Sequence, residues 1–198
     1  MRLQVPRLRL QEGVTAVRPL VRADLDALLA LRVQNRGFLA PFEAIREESF
    51  FTRAAQSREI TLDGDAWTSG LGYAFAVVAV HEGRRERLIG RVALSNVVRG
   101  AWQNATVGYW ISEDACGFGH ASAALGLVVE FAFRHAGLHR VQPAIMPRNV
   151  RSRRVVEKNG FRHEGTAQRY LMIDGVWEDH DIFALTAEEW HARRAAEA

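Results

Sequence analysis

Apolar and polar positions alternate from 14 to 20 as in a strand that ends at Pro19, and residues 23–31 follow with leucines and alanines at amphipathic helical spacing. A hydrophobic loop at 38–42 breaks that helix, and 43–56 reads as helical again, with Ile45, Phe50 and Phe51 apolar among charges. Asp63-Gly64-Asp65 and Ser69-Gly70-Leu71-Gly72 mark turns before two strands at 73–80 and 88–97, joined by a charged tip at 82–86. A third strand of this antiparallel group covers 105–111. A glycine turn then leads into a long helix reaching His135 and ended by Gly137.

Residues 140–146 form a further strand, in which Pro143 removes one ladder donor and points to an edge or a locally splayed pair. Asn149 caps a helix running to about Asn159 and closed by Gly160. Strands at 161–172 and 176–185 pair around the Asp174-Gly175 turn, and Thr186-Ala187-Glu188-Glu189 is a capping box for a C-terminal helix over 186–198. The opening residues 1–13 alternate arginine with leucine and read either as a strand or as a flexible lead-in. The whole, 1–198, is read as a single domain.

The glycine turn carries the first chemical signal. Gly117 and Gly119 lack a Cβ, so the chain can turn sharply and admit a phosphate to the unpaired amides that open the next helix. Ala121, Leu125, Val128, Val129, Ala132 and Phe133 recur at helical spacing behind the turn and anchor it. A pyrophosphate suits this socket, although the same turn also serves to pack a helix closely on a strand. No Gly-Lys-Ser/Thr ending makes it a P-loop, and no third glycine follows Gly119 by three residues as a dinucleotide fingerprint requires.

Composition narrows the classes further. No apolar run approaches the roughly 18 residues that span a bilayer, and no signal-like apolar block follows the first arginines, so a cytoplasmic location is expected. The single Cys116 excludes an internal disulfide, and His120, His135, His139, His163 and His180 lack metal-ligand spacing, so no metal is expected. Net charge is +3, yet all but Lys158 of the 26 basic residues are arginine and they are interspersed with acids. That pattern is a composition bias rather than a nucleic-acid footprint.

Cys116-Gly117-Phe118-Gly119-His120-Ala121 resembles the Q/R-x-x-G-x-G/A acetyl-CoA loop of the GNAT N-acetyltransferases, with Cys116 where Gln or Arg is usual. Asn149, Ser152, Gly160-Phe161 and Glu164-Gly165 resemble the N-x-x-S-x-x-V-x-x-x-G-F-x-x-E-G pattern of the ribosomal-protein alanine N-acetyltransferase (RimJ/RimL) branch. Gly108-Tyr109-Trp110, Trp177, Asp179 and Glu189-Trp190 fit that branch too. The resemblance implies an α/β (α+β) GNAT fold. Its mixed, mostly antiparallel sheet would have about seven strands flanked by helices, with acetyl-CoA in the splay between the fourth strand (105–111) and the fifth (140–146).

The resemblance also implies roles. The amides of Gly117, Phe118, Gly119, His120, Ala121 and Ser122 would hold the pyrophosphate, and the main chain of Trp110 and Ile111 would pair with the pantetheine arm. Asn149 would contact pantetheine, and Ser152 would serve the leaving thiolate, because Val156 stands where many relatives have a proton-donating tyrosine. The acid often found before the Gly-Tyr pair is Thr106 here, which leaves Glu43 and Asp179 as candidate bases. The expected acceptor is the amine of a protein or peptide N-terminus. A small amine and a non-catalytic acyl-CoA sensor are the rival readings, neither membrane nor nucleic acid is an expected partner, and a homodimer is left open.

Overall fold

The computed structural model describes residues 8–83 and 85–197. Among them, nine strands make one sheet: β1 (Leu10–Glu12), β2 (Thr15–Pro19), β3 (Tyr73–Ala79), β4 (Arg87–Val98), β5 (Asn104–Ile111), β6 (Arg140–Gln142), β7 (Ala144–Ile145), β8 (Arg162–Ile173) and β9 (Val176–Thr186). The helices are α1 (Leu25–Gln34), α2 (Arg36–Leu39), α3 (Arg53–Ser69), α4 (His120–Arg134), α5 (Val150–Lys158) and α6 (Ala187–Glu197). None of these is long and apolar enough to cross a membrane.

Strands β1 to β5 lie side by side in chain order, each antiparallel to the next, and β6 joins β5 in parallel. β9 then takes β6 and β7 on one edge and β8 on the other, all antiparallel. The sheet exceeds the expected seven strands for two reasons. Leu10–Glu12 of the lead-in pairs with β2, while 1–7 lie outside the described residues. The strand expected at 140–146 is interrupted at Pro143, whose carbonyl still accepts from Phe183 N at 3.0 Å while its nitrogen has nothing to donate.

The sheet separates two cores. On one face α4 buries Leu125, Val128, Val129 and Ala132 against Phe75, Val77, Val92 and Val107; on the other α1 packs Leu25, Leu28 and Leu31 against Ala74, Ala76 and Val78. Tight contact within the sheet is also required. A Cβ on Gly90 of β4 would fall 2.3 Å from Trp110 O of β5, so only glycine permits this approach.

Two local expectations are corrected. Residues 43–47 are not helical; a 3₁₀ turn at Glu48–Phe51 precedes α3, which Thr52 caps by accepting Ala55 N at 3.3 Å. α3 then runs straight through Asp63-Gly64-Asp65, because buried Ile60 and Trp67 on its inner side outweigh the roughly 1 kcal/mol that a helical glycine costs, and it stops at Gly70 (φ 71°). The loop at 38–42 is likewise a short helix continued by a 3₁₀ turn at Ala40–Phe42, drawn in by buried Leu39.

Candidate active site

The central feature is an opening in the sheet. β5 pairs with β6 only through Asn104, Ala105 and Thr106, whereas β7 pairs with β9 and not with β5. From Val107 to Ile111 the β5 edge facing β7 is therefore left without ladder bonds, a V-shaped slot bordered by main-chain donors and acceptors. Such an edge accepts an amide-bearing chain as an added strand.

At the wide end of the slot, β5 runs through a 3₁₀ turn, Glu113–Ala115, into the glycine turn and α4. Gly117 and Gly119 have φ of 87° and 84°, and a Cβ built on either meets no atom within 4 Å. Open space therefore faces the turn, at the N-terminus of a fifteen-residue helix with unpaired amides and a positive dipole end. The cradle fits the diphosphate of a coenzyme.

Side chains hold this cradle from several directions. Buried Asn35 donates to Leu31 O at 2.8 Å and Ser112 Oγ at 3.0 Å and accepts from Glu113 N at 2.8 Å, tying the end of α1 to the turn. Arg87 pairs with Asp114 at 2.6 Å. His120 Nδ1 shares a hydrogen bond of 2.8 Å with Thr15 Oγ1, and burial lowers the His120 pKa. Asn159, the C-cap of α5, donates to Ser122 O at 3.1 Å and Ser122 Oγ at 3.2 Å. His120 and Ser122 thus turn their side chains into the protein, and Ala121 packs on the core, which leaves only their amides for a ligand. Phe118 is 74% exposed on the turn. Burial raises the Cys116 pKa, opposed by the charge of Arg151, and the thiol donates to Ser112 O at 3.4 Å.

The far side of the slot is the first turn of α5. Asn149 Oδ1 accepts from Ser152 N at 3.1 Å, as the capping expectation requires. Ser152 Oγ lies 2.7 Å from Tyr109 Oη, and the phenol is also 3.1 Å from Ser152 O. Burial pushes the Tyr109 pKa up to about 12, partly opposed by its bond to Ser152, so this bridge between β5 and α5 is a neutral phenol. The sequence reading used Tyr109 only as part of a motif; its contact spans 43 residues.

The next side chain on β5 leaves from the opposite face. Trp110 is 9% exposed in the core beneath α1, and its Nε1 has no hydrogen-bond partner among the described residues. Arg32 stacks 4.3 Å from its ring centre and donates to Glu43 at 2.6 Å. These residues line a groove of about 420 Å³ with Phe42, Asp63, Arg91, Ala93, Gly108 and Tyr109. Arg91 grips both Asp63 oxygens at 2.7 and 2.8 Å. Farther along, Thr106 Oγ1 joins Ser95 Oγ at 2.9 Å and Asn96 Nδ2 at 3.2 Å.

The structure brings most of the expected residues together around the slot: the glycine turn, the 110–111 main chain, Asn149 and Ser152. Glu43 stands apart from them, in the groove on the other face. Asp179 lies on the β8–β9 hairpin, where Oδ1 accepts Arg169 N at 2.8 Å across an irregular stretch with Arg169 at φ 49°.

A sheet opened beside a glycine turn and a capped serine helix is the architecture of an acyltransferase that draws on a coenzyme A thioester. The sequence matches the family described as Acetyltransferase (GNAT) domain over residues 15–162, and the chain belongs to that family. It is 38% identical over 169 residues to the probable N-acetyltransferase YjcK of Bacillus subtilis, covering 85% of this chain and 92% of that protein. It is 32% identical over 189 residues to the [ribosomal protein uS5]-alanine N-acetyltransferase of Escherichia coli, covering 96% of each.

Among solved structures, the ribosomal-protein-S5-alanine acetyltransferase of Vibrio fischeri superposes with a TM-score of 0.85 at 30% identity, over 92% of this chain and 98% of that one. Mycobacterium smegmatis RimJ, in complex with a CoA-disulfide, gives 0.83 at 30% identity, over 93% and 90%. The chain is an acetyl-CoA-dependent N-acetyltransferase of the RimJ type.

Proposed function

We propose that the protein acetylates the α-amine of a protein or peptide N-terminus by direct attack on acetyl-CoA. The observation that carries this reading is the pairing of two chambers across β5, a coenzyme slot on one side and an open groove with polar walls on the other. The near-complete overlap with an enzyme named for a ribosomal-protein alanine supports the choice of acceptor.

In this reading the amides of residues 117–122 hold the diphosphate, and Trp110 and Ile111 pair through their main chain with the pantetheine arm. Asn149, its Oδ1 occupied by the cap, offers Nδ2 to a pantetheine carbonyl. The β5 edge aims an amide at the thioester carbonyl and stabilises charge as it develops there. The amine nitrogen attacks, the C–S bond breaks with its electron pair on sulfur, and the Ser152 hydroxyl protonates the thiolate and regains its proton from water.

Of the two carboxylates, Glu43 lines the groove and takes the amine proton through water; Asp179 preserves the shape of the hairpin wall. A base need supply little, because an α-amine has a pKa near 8. The test is incubation with acetyl-CoA and a panel of alanine- and serine-initiated peptides beside polyamines and free amino acids, read by mass spectrometry. Acetylation at the peptide α-amine is expected. Turnover confined to small amines would reject the acceptor, and binding of acetyl-CoA without thiol release on any amine would reject catalysis.

A further inference from the structure

The groove across β5 from the coenzyme slot is the acceptor compartment of the reading above, on which this inference rests. Its charged lining sets Arg32, Arg46 and Arg91 against Glu43 and Asp63. Two of these cations are already matched: Arg32 donates to Glu43 at 2.6 Å, and Arg91 grips both Asp63 oxygens at 2.7 and 2.8 Å. Arg46 has no carboxylate at ion-pair distance among the described residues. The groove lining is therefore left with one cation that nothing neutralises. Asp174, the nearest further acid of this region, lines a smaller cavity of about 200 Å³ that Arg46 also borders, and not the groove.

Arg46 is exposed but not loose. It sits on a non-helical strap at 43–47, pinned at one end where Asp174 N donates to Glu43 O at 3.0 Å and at the other by the 3₁₀ turn Glu48–Phe51. Its guanidinium carbon lies 4.7 Å from the ring centre of Phe50, and that of Arg32 lies 5.7 Å from the same ring. Phe50 O accepts from Nε2 of buried Gln56 in α3 at 2.8 Å, so the ring is fixed from behind. An aromatic neighbour positions a guanidinium without supplying an acceptor, which leaves the N–H groups of Arg46 for a carboxylate.

The electrostatics agree. Burial lowers the Arg32 pKa, Glu43 opposes it, and the charges of Arg91 and Arg46 add to the lowering. Arg32 thus feels both other cations, and an anion entering the groove relieves that repulsion.

We propose that Arg46 determines acceptor specificity: it pairs with a side-chain carboxylate, so the preferred substrates are N-termini with Asp or Glu within the first few residues after the acetylated one. The α-amine lies at the β5 end of the groove, beside Gly108, Tyr109 and Trp110, and the residues behind it run toward the strap. A lysine in the same place meets an unmatched like charge.

The test is steady-state acetylation, by the full chain, of one alanine-initiated peptide changed at positions two, three and four in turn to Glu, Gln or Lys, at low salt and again at about 0.5 M. At one of these positions Glu should exceed Gln by about three- to fivefold in kcat/KM, the range for an exposed charge pair, and should exceed Lys by more. The difference should lie in KM and shrink in salt. Arg46→Lys should keep this order, Arg46→Gln should abolish it, and Arg46→Glu should invert it in favour of the Lys peptide. Should the charge-reversed chain not fold, Arg46→Gln decides alone. Equal kcat/KM for the Glu and Lys peptides at every position overturns the inference and leaves α-amine acetylation standing. So does a Glu preference that survives loss of the Arg46 charge. If small amines turn over and no peptide does, the reading of the acceptor fails and this inference falls with it.

Discussion

The Arg32 guanidinium carbon lies over Trp110, 4.3 Å from the ring centre, with Nη1 donating to Glu43 at 2.6 Å. Burial lowers the Arg32 pKa while Glu43 acts to raise it, so the cation is kept in a poorly hydrated place by one carboxylate and the rings of Trp110 and Phe50. Replacing Arg32 by Lys keeps the charge but loses the planar stack. The expected outcome is a KM for the acceptor raised about tenfold with kcat for the acetylated product near normal, as checked by steady-state kinetics with the acceptor varied.

Glu43→Gln separates the proposed base from the brace. As a base, Glu43 takes the proton of an acceptor that is still an ammonium below the amine pKa near 8, so the variant should lose kcat/KM most at the acid end of the working range. The loss should shrink as pH rises toward the amine pKa near 8, where the acceptor deprotonates in solvent. A uniform loss across pH, with a lowered Tm, marks Glu43 as a brace for Arg32 alone.

Gly119→Ala places a Cβ on a residue at φ 84°, a conformation costing about 1–2 kcal/mol for an L residue. Gly137 has φ 62° with equally open surroundings but sits beyond the far end of α4, so Gly137→Ala is the matched control. Both should lose a few degrees in Tm. Only Gly119→Ala should weaken CoA, by about tenfold, in calorimetry, because 1.4 kcal/mol is a factor of ten.

Asn149 combines a helix cap with a proposed ligand contact, and substitution can part them. Asn149→Ala should cost about 1 kcal/mol of stability and also raise KM for acetyl-CoA. Asn149→Asp keeps the accepting oxygen and should restore Tm while KM stays high, since the amide donor is gone. Recovery of both parameters in the aspartate variant would confine Asn149 to capping.

Tyr109 also shapes the alkaline limit. The folded phenol holds its proton to about 12 and the unfolded one to about 10, so between these values the native state binds more protons. This contribution is fully present below pH 10 and is lost as pH rises through 12. Denaturant titrations across that window should show a shallower decline in Tyr109→Phe.

Much of this arrangement could be read along the chain. The cap at Asn149 and the box in which Thr186 N donates to Glu189 Oε2 at 2.8 Å are local, built from residues three apart. α4 was legible because its apolar period is long, and the glycine turn because left-handed backbone restricts residue type so strongly. Asn35 with Ser112, Tyr109 with Ser152 and Arg32 with Trp110 were not legible: each joins side chains 43 to 78 residues apart, and no periodicity encodes which strand faces which helix. The extent of α3 was missed for the opposite reason, since Gly64 signals a turn locally and only Ile60 and Trp67, packed on distant partners, overrule it.

The pleat of β5 presents neighbouring residues to opposite sides, Tyr109 toward the core under α4 and Trp110 toward the core under α1. In the proposed function, two consecutive residues therefore face the two compartments assigned to the substrates, and parity decides which compartment receives which. Deleting or inserting a single residue upstream within this strand would exchange the phenol and the indole wholesale. Evolution can retune either compartment by substitution here, but never by changing the count.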